Sequence, residues 1–156
     1  MKIVAIKKVE GGLFSTFANE SLAEGDIIET MTPMGRFYTT IDPANEKHYV
    51  AFVSGSGITP VMAHMRTIFQ LEPKSSFTLV YGNKTTSSII FKEEIEDLKN
   101  EYMDRLTVYN VLSREENEIP LFMGRIDSEK CASFMKYFIQ PDTIDEVFIC
   151  GPAPMI

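Results

Sequence analysis

A short run of glycine and hydroxyl residues, Gly55–Pro60 (GSGITP), follows directly on the apolar run Tyr49–Val53. Glycine allows a tight turn and lets an anionic group lie close to main-chain N–H groups at the start of a helix. Pro60 suits the first helical position, where a missing N–H costs nothing. The pattern is G-x-G-x-x-P and differs from the dinucleotide fingerprint G-x-G-x-x-G. Taken alone, the run is compatible with a phosphate-binding turn and with a plain turn between strand and helix.

Three further predicted strands run into turns that carry small, hydroxyl or cationic residues. These turns are Gly82-Asn83, Ser113-Arg114 and Cys150-Gly151-Pro152. Arg114 offers a planar fork of donors that matches a phosphate, and Ser113 adds a hydroxyl donor. Because ligands bind beyond the carboxyl ends of parallel strands, the four turns predict a single ligand edge suited to a dinucleotide.

Several of these residues also have an ordinary structural interpretation. Arg114 can form an exposed ion pair with Glu115 or Glu116, an arrangement that contributes little to stability. Cys150 can be a small apolar residue that ends a buried strand. The two histidines have no ligand partners nearby in the sequence, and the two cysteines suggest neither a disulfide framework nor a zinc site, so no metal site is predicted.

Alternating strands and helices from Tyr49 onward must position these turns. The strand candidates are short and apolar, as is typical of strands covered on both faces. Apolar residues at helical spacing predict helices between them, and Asp127 or Ser128 is placed to cap the last one. This alternation predicts an α/β fold with a parallel sheet. The predicted strands are Tyr49–Val53, Phe77–Tyr81, Leu106–Leu112 and Glu146–Cys150.

The beginning of the chain has a different pattern. Ile3–Ile6 and Asp26–Met31 read as strands, with a glycine turn between them in which Ser15 would cap a short helix. Two or three strands make only a small antiparallel sheet with open edges. We therefore predict two domains, residues 1–46 and 47–156, joined through the polar residues 42–47.

Composition narrows the class of function. The 156 residues carry a net charge of −7, so a basic face for nucleic acid is not expected. No apolar run approaches the roughly 20 residues that span a bilayer, and the amino terminus lacks the apolar core of a signal peptide. Acidity, reduced thiols and the missing export signal favour the cytoplasm. Open strand edges near Ile3–Lys7 and Ile27–Met31 predict a homodimer paired through them.

With these motifs in view, the chain resembles the ferredoxin–NADP reductase superfamily, and within it the reductase components of multicomponent oxygenases. The matching segments follow the family's order and spacing over nearly the whole chain. Pro60, which departs from the ordinary dinucleotide fingerprint, belongs to the resemblance. The segments are Val9–Ser15, Pro33–Phe37, Gly55–Pro60, Tyr81–Asn83, Leu112–Glu115, Gly124–Ile126 and Cys150–Ile156.

The resemblance implies a parallel-sheet NADP-binding domain preceded by part of an antiparallel flavin-binding β-barrel. Ser113 and Arg114 correspond to the pair that holds the 2′-phosphate in members that prefer NADPH. Cys150 corresponds to a cysteine beside the nicotinamide, and Thr59 to a residue near the contact between flavin and nicotinamide, so these two are the catalytic candidates. The other residues implied to bind the nucleotide are Gly55, Ser56, Gly57, Ile58, Pro60, Tyr81, Gly82, Asn83, Arg125, Gly151, Pro152 and Met155.

The flavin motifs of the superfamily are only partly matched. Gly12 and Ser15 correspond to its G-x-x-S motif near the FAD pyrophosphate, but its Arg-x-Tyr-Ser motif has no counterpart. The four-cysteine run of a [2Fe–2S] domain is also missing. The resemblance therefore implies a central piece of a longer reductase, with impaired activity, impaired FAD binding and a cluster that belongs to a missing carboxyl-terminal domain. The intact reductase would pass electrons from NADPH through FAD and that cluster to an oxygenase component.

Two other functions remain compatible with these residues. A related reductase would use NADH and serve a different oxygenase. A non-catalytic nucleotide-binding electron-transfer subunit would use the same fold to bind a partner. The complete set of turns at the sheet edge, including Cys150, argues against this second alternative.

Overall fold

The computed structural model describes Val4, residues 6–32 and residues 34–155. The chain divides into two units, one up to Tyr38 and one from Thr39 onward. The predicted domain boundary between residues 46 and 47 stays a prediction.

A four-stranded parallel sheet forms the second unit, with the strands in the spatial order β3-β2-β1-β4. The predicted parallel α/β architecture is confirmed. The strands are β1 His48–Ser54, β2 Ser76–Asn83, β3 Leu106–Leu112 and β4 Glu146–Cys150. The helices are α1 Leu13–Glu20 in the first unit, and α2 Ile58–Leu71, α3 Lys92–Glu101 and α4 Ser128–Tyr137 in the second.

Both faces of the sheet are covered, which explains the continuous apolar sequence of β1. Alternate residues of β1 pack on one side with Met65 of α2 and Ile95 of α3. The others pack on the opposite side with Phe134 of α4. Helix α4 begins as the sequence predicts, since the Asp127 carboxylate caps it by accepting from the Lys130 N–H at 2.9 Å.

The order of the strands reverses at β1. The chain runs from β1 through β2 to β3 on one side, and then crosses back to place β4 on the other side of β1. The helices α2 and α3 lie on one face and α4 on the other. In open α/β sheets, such a reversal leaves a crevice beyond the carboxyl ends of the two flanking strands. The candidate site is therefore expected between the ends of β1 and β4.

The first unit differs from its sequence-based prediction. Helix α1 begins at Leu13, with Gly12 at its N-cap and no side-chain cap. The predicted cap by Ser15 is wrong, because this residue lies inside the helix. Its hydroxyl accepts from the Val9 N–H at 3.1 Å and donates to the Gly12 carbonyl at 3.4 Å.

The predicted strand Asp26–Met31 is also wrong, because residues 26–31 are irregular. The side chains of Ile27 and Met31 are 95% and 79% exposed, and the described part of the first unit offers no strand to pair with them. The strand edge that was expected to pair two copies is therefore missing at Ile27–Met31, and no antiparallel barrel is present in the described residues. Of the predicted strand Ile3–Ile6, Ile3 and Ala5 lie outside the described residues.

Candidate functional site

The turn after β1 requires its two glycines for different reasons. Gly55 has a φ of +53°, a left-handed conformation that favours glycine. A Cβ atom at Gly57 would lie 2.2 Å from the carbonyl oxygen of Cys150 and 2.7 Å from its carbonyl carbon. Gly55 thus gives the turn its shape, and Gly57 lets the turn contact the end of β4.

The amino end of α2 is open to an anion. The helix starts at Ile58 without a side-chain cap, so Pro60 is its third residue and not its first, as the sequence predicted. A 3-10 turn over Gly55–Gly57 leads directly into the helix, and the Ile58 N–H donates to the Gly55 and Ser56 carbonyls. The Ser56 carbonyl, four residues before Pro60, therefore has a donor although Pro60 has no N–H. Thr59 Oγ1 donates to the carbonyl of the exposed Ser56 at 3.1 Å and closes the turn. The main-chain N–H groups of the turn Gly55–Gly57 and the positive end of the helix dipole together favour a phosphate.

Cys150 lies at the point where the strand order reverses. It pairs with Val53 of β1 and packs partly against the core on the α2 side. Its thiol is free and half-buried. A Cβ atom at Gly151 would lie 2.7 Å from Met155 Sδ and 3.2 Å from Ser54 Cβ, so the last turn folds closely over the ends of β1 and β4. Cys150 therefore both ends a strand against the core and borders the crevice.

Tyr81 of β2 supports the turn from below. Its side chain is fully buried, and its hydroxyl donates to the Gly55 carbonyl at 3.0 Å. Burial raises the pKa of Tyr81 to about 12, against the smaller opposing effects of the Asn83 side chain and the Ile90 backbone. The hydroxyl therefore stays protonated at neutral pH and remains a donor to the turn. Gly82 lies next to it, where a Cβ atom would be 3.0 Å from the side chain of Ile126.

The residues after β3 are fixed against the end of β2. The Ser113 N–H donates to the Asn83 carbonyl at 2.9 Å, and the Arg114 N–H donates to the Lys84 carbonyl at 2.8 Å. These bonds continue the ladder beyond the strands. The side chains of Ser113 and Arg114 are exposed at this edge.

Glu115 does not neutralise Arg114. Its carboxylate accepts from the Thr86 N–H at 2.6 Å and from the Thr86 hydroxyl at 2.7 Å. The hydrogen bonds from this hydroxyl and N–H lower the pKa of Glu115. Within the described residues, Arg114 forms no ion pair, with Glu115 or with Glu116.

Lys84, Arg114 and Arg125 form a group of exposed cations at the ends of β2 and β3, which we call the cationic cluster. Arg125 lies there because the N–H of Gly124 donates to the Leu112 carbonyl at 3.0 Å. Across residues 6–32 and 34–155, none of the three side chains has a hydrogen bond or ion pair. Unpaired cations at one place in a chain of net charge −7 favour an anionic ligand there.

The features follow one another along the carboxyl edge of the sheet. The cationic cluster lies at β2 and β3, the open end of α2 follows β1, and Cys150 ends β4. With strands about 4.8 Å apart, the edge from β3 to β4 is about 14 Å long. An extended ligand with one phosphate group near its middle and another near one end matches this order.

The sequence-based prediction did not include every residue at the carboxyl edge of the sheet. It missed Lys84, whose cationic character next to Asn83 was a usable signal. It also missed Ser54, whose hydroxyl donates to the Gly82 carbonyl at 3.3 Å and which had no signal beyond its place at a strand end. Pro152, predicted to bind the nucleotide, is exposed in the turn after β4. Gly12 and Ser15, predicted to bind FAD, belong to the first unit.

Two other kinds of site are missing from the described ranges. No group of three or more His, Cys, Asp or Glu side chains there is arranged to hold a metal ion. The helices there are too short or too polar to cross a membrane.

Residues 52–156 match the family described as the oxidoreductase NAD-binding domain. The match covers more than half of the chain, which therefore belongs to this family, within the ferredoxin reductase superfamily. One component of the 1,2-phenylacetyl-CoA epoxidase of Escherichia coli (strain K12) is a relative with 42% identity over 153 residues, which are 98% of this chain and 43% of the relative.

Two further comparisons agree with this family. The ferredoxin reductase component of the 3-ketosteroid-9-alpha-monooxygenase of Mycobacterium tuberculosis is 29% identical over 153 residues, 98% of this chain and 38% of the relative. The solved CS-b5R domains of human Ncb5or, in the NAD+ form, superpose with a TM-score of 0.77 and 28% identity, over 96% of this chain and 41% of that one. The chain spans less than half the length of each of these proteins.

Proposed function

We propose that this chain is the nucleotide-binding part of an NADPH-dependent flavin reductase. In the whole protein, electrons would pass from NADPH through FAD and a [2Fe–2S] centre to an oxygenase component, such as a phenylacetyl-CoA epoxidase. The observation that carries the proposal is the unpaired cationic cluster at one end of an edge that has Cys150 at the other. The E. coli and M. tuberculosis relatives support the reaction class, since both are named as components of oxygenases.

The chain's own residues bind and orient the nucleotide in this proposal. The open end of α2 and the turn Gly55–Pro60 hold the pyrophosphate through main-chain N–H groups. Gly57 keeps the crevice free of side chain where the turn meets β4. Ser113 and Arg114, with Lys84 and Arg125 beside them, hold the 2′-phosphate that distinguishes NADPH from NADH.

At the other end of the edge, Cys150 borders the nicotinamide, and Thr59 positions the ring from the start of α2. The bound nucleotide supplies a hydride, while the protein supplies position and exclusion of water. Because the Thr59 hydroxyl donates to the Ser56 carbonyl, it presents an acceptor to the ligand rather than a donor.

FAD is assigned to the first unit. Helix α1 has no side-chain cap, and its first N–H groups therefore suit a phosphate beside Gly12. Ser15 shapes this turn, since its hydroxyl is already bonded to Val9 and Gly12. We expect weak FAD retention by this chain, because the Arg-x-Tyr-Ser motif is not in it. A visible spectrum of the purified chain with stoichiometric flavin absorption would contradict this expectation.

Calorimetric titration with NADP+ and NAD+ tests the choice of nucleotide. Replacing Arg114 by Ala should weaken NADP+ binding about tenfold or more, since hydrogen bonds to charged groups contribute roughly 1.5–3 kcal/mol. Binding of NAD+ should change less than about twofold, because it has no 2′-phosphate. The matched control is Arg66→Ala, which removes an exposed arginine from α2.

The other outcomes separate the alternatives. An equal loss for both nucleotides would favour an NADH-linked reductase of another oxygenase. No binding of either nucleotide by the folded protein would contradict the proposal as a whole. The proposed setting is the cytoplasm, where the free thiols Cys131 and Cys150 would stay reduced.

A further inference from the structure

At the amino ends of the strands, opposite the candidate site, a buried carboxylate holds the start of the second unit. Glu72 follows α2 and is fully buried. Its Oε1 accepts from the Asp42 N–H at 3.1 Å and from Asn45 Nδ2 at 2.7 Å. Its Oε2 accepts from the Tyr49 hydroxyl at 3.0 Å and from Ser75 Oγ at 2.7 Å. Two of its four bonds thus go to the sheet side and two to residues 42–45.

A second carboxylate holds the two ends of the same segment. Glu146, the first residue of β4, accepts from the Thr39 hydroxyl at 2.9 Å and from Lys47 Nζ at 2.7 Å. The backbone of Lys47 is also held, because its N–H donates to Ser75 Oγ at 3.0 Å and its carbonyl accepts from the Ser76 N–H at 2.8 Å. Residues 42–47 read as a polar linker in the sequence, but they are bonded to three other parts of the second unit.

We propose that Glu72 and Glu146 are positioning residues that hold residues 39–47, the segment by which the chain enters the second unit, on the amino edge of the sheet. We call this arrangement the latch. The latch uses polar bonds almost entirely, with Ile41 as its one partly buried apolar contact with the described core. Its strength therefore depends on two carboxylates rather than on packing.

The latch does not depend on the proposed function. Residues 39–47 belong to the second unit, so a segment released from Glu72 and Glu146 frees the chain that precedes β1 without changing any residue of the nucleotide edge.

Hydrogen exchange on the full, isotope-labelled chain, resolved by NMR, tests the latch directly. Glu72→Gln keeps the shape of the side chain but places an amide nitrogen among donors. We expect the protection of the Asp42 amide, which donates to Glu72, to fall about tenfold or more, as for loss of a hydrogen bond to a charged group. The protection of the Lys47 amide should fall with it, because its acceptor Ser75 Oγ is itself held by Glu72. The amides of Val50 and Phe52 in central β1 report global unfolding, and in the variant their protection should stay above that of the latch amides. Glu118→Gln, at an exposed position, is the matched control.

Unchanged protection at Asp42 and Lys47 would overturn the proposal. Equal protection of these amides and of central β1 in the variant would also overturn it, because the segment would then open only when the whole fold unfolds. Should Glu72→Gln fail to fold, Glu146→Gln tests the same latch from the surface. In this variant, the rate of trypsin cleavage after Lys47, followed by mass spectrometry, should rise several-fold relative to cleavage after the exposed Lys99. An unchanged ratio of the two cleavage rates overturns the proposal. None of these readouts involves a nucleotide, so they are independent of the NADP+ titration.

Discussion

The two ends of the sheet use polar residues in opposite ways. At the amino edge, the buried Glu72 has four hydrogen-bond donors. Arg105 lies beside it, donating to the carbonyls of Phe69, Glu72 and Ser75 at 2.8–3.2 Å. At the carboxyl edge, the side chains of the cationic cluster have no such partners in the described residues. The amino edge therefore uses its buried carboxylate to hold the fold, and the carboxyl edge leaves the three cations of the cluster unpaired for a ligand.

Because of this contrast, we expect substitutions at the two edges of the sheet to affect different properties, namely the stability of the fold and the affinity for the nucleotide. A substitution at the amino edge should change the free energy of unfolding and leave nucleotide affinity intact in the molecules that fold. A substitution at the carboxyl edge should do the reverse, except where backbone elements contact each other. Gly57 is that exception, because it is both part of the site and packed on β4.

The largest effect is expected from Glu72→Ala. The change leaves the Tyr49 hydroxyl and Ser75 buried without their acceptor, and we expect a loss of about 3 kcal/mol in the free energy of unfolding. Urea denaturation at neutral pH measures it. The affinity of the folded fraction for NADP+ should be unchanged, and a parallel loss of affinity would contradict the separation of the two edges.

Gly57→Ala should affect both properties. Its new Cβ would overlap the Cys150 carbonyl, so the turn or the end of β4 must move, at a cost of about 2 kcal/mol. The same movement should abolish measurable NADP+ binding by displacing the amino end of α2. The control is Gly35→Ala, where a Cβ would have no atom within 4 Å. Retained binding with wild-type stability would show that the close contact is not required.

Acid should weaken the amino edge selectively. Burial, the largest single influence, raises the pKa of Glu72, but hydrogen bonds from Asn45, Ser75, Asp42 and Tyr49 together lower it below its usual 4.5. A carboxyl group with a lower pKa in the folded state stabilises the fold above its unfolded pKa and loses that contribution as pH falls through the folded value. The stability difference between the wild type and Glu72→Gln should therefore be largest at neutral pH and shrink below pH 4.5.

Urea midpoints measured over a series of pH values check this prediction. Glu118→Gln, at an exposed position, is the control for removing a carboxylate. A difference for Glu72→Gln that stays constant down through this range would show that the charge of Glu72 does not stabilise the fold.

The sequence was informative where a local pattern had a single structural solution. The bounds of β3 and β4 were predicted to the residue, because each strand ends at a turn with its own residue signature. Asp26–Met31 has the composition of a strand but no partner strand in the described residues, and a pattern along one segment does not report its partners. The latch was missed for the same reason, since Glu72 and Glu146 lie far from residues 39–47 in sequence.

Two serines provide the finest test of the contrast, because the same substitution removes one hydroxyl from each edge. Ser75 at the amino edge is buried, donates to Glu72 at 2.7 Å and accepts from the Lys47 N–H. Ser54 at the carboxyl edge is partly buried and makes one long bond of 3.3 Å to the Gly82 carbonyl. We expect Ser75→Ala to cost about 1.5 kcal/mol and Ser54→Ala about 0.5 kcal/mol in the free energy of unfolding, because a lost partner costs most where a charged acceptor stays buried. Equal costs in urea denaturation would mean that the two edges do not differ in how they use their polar groups.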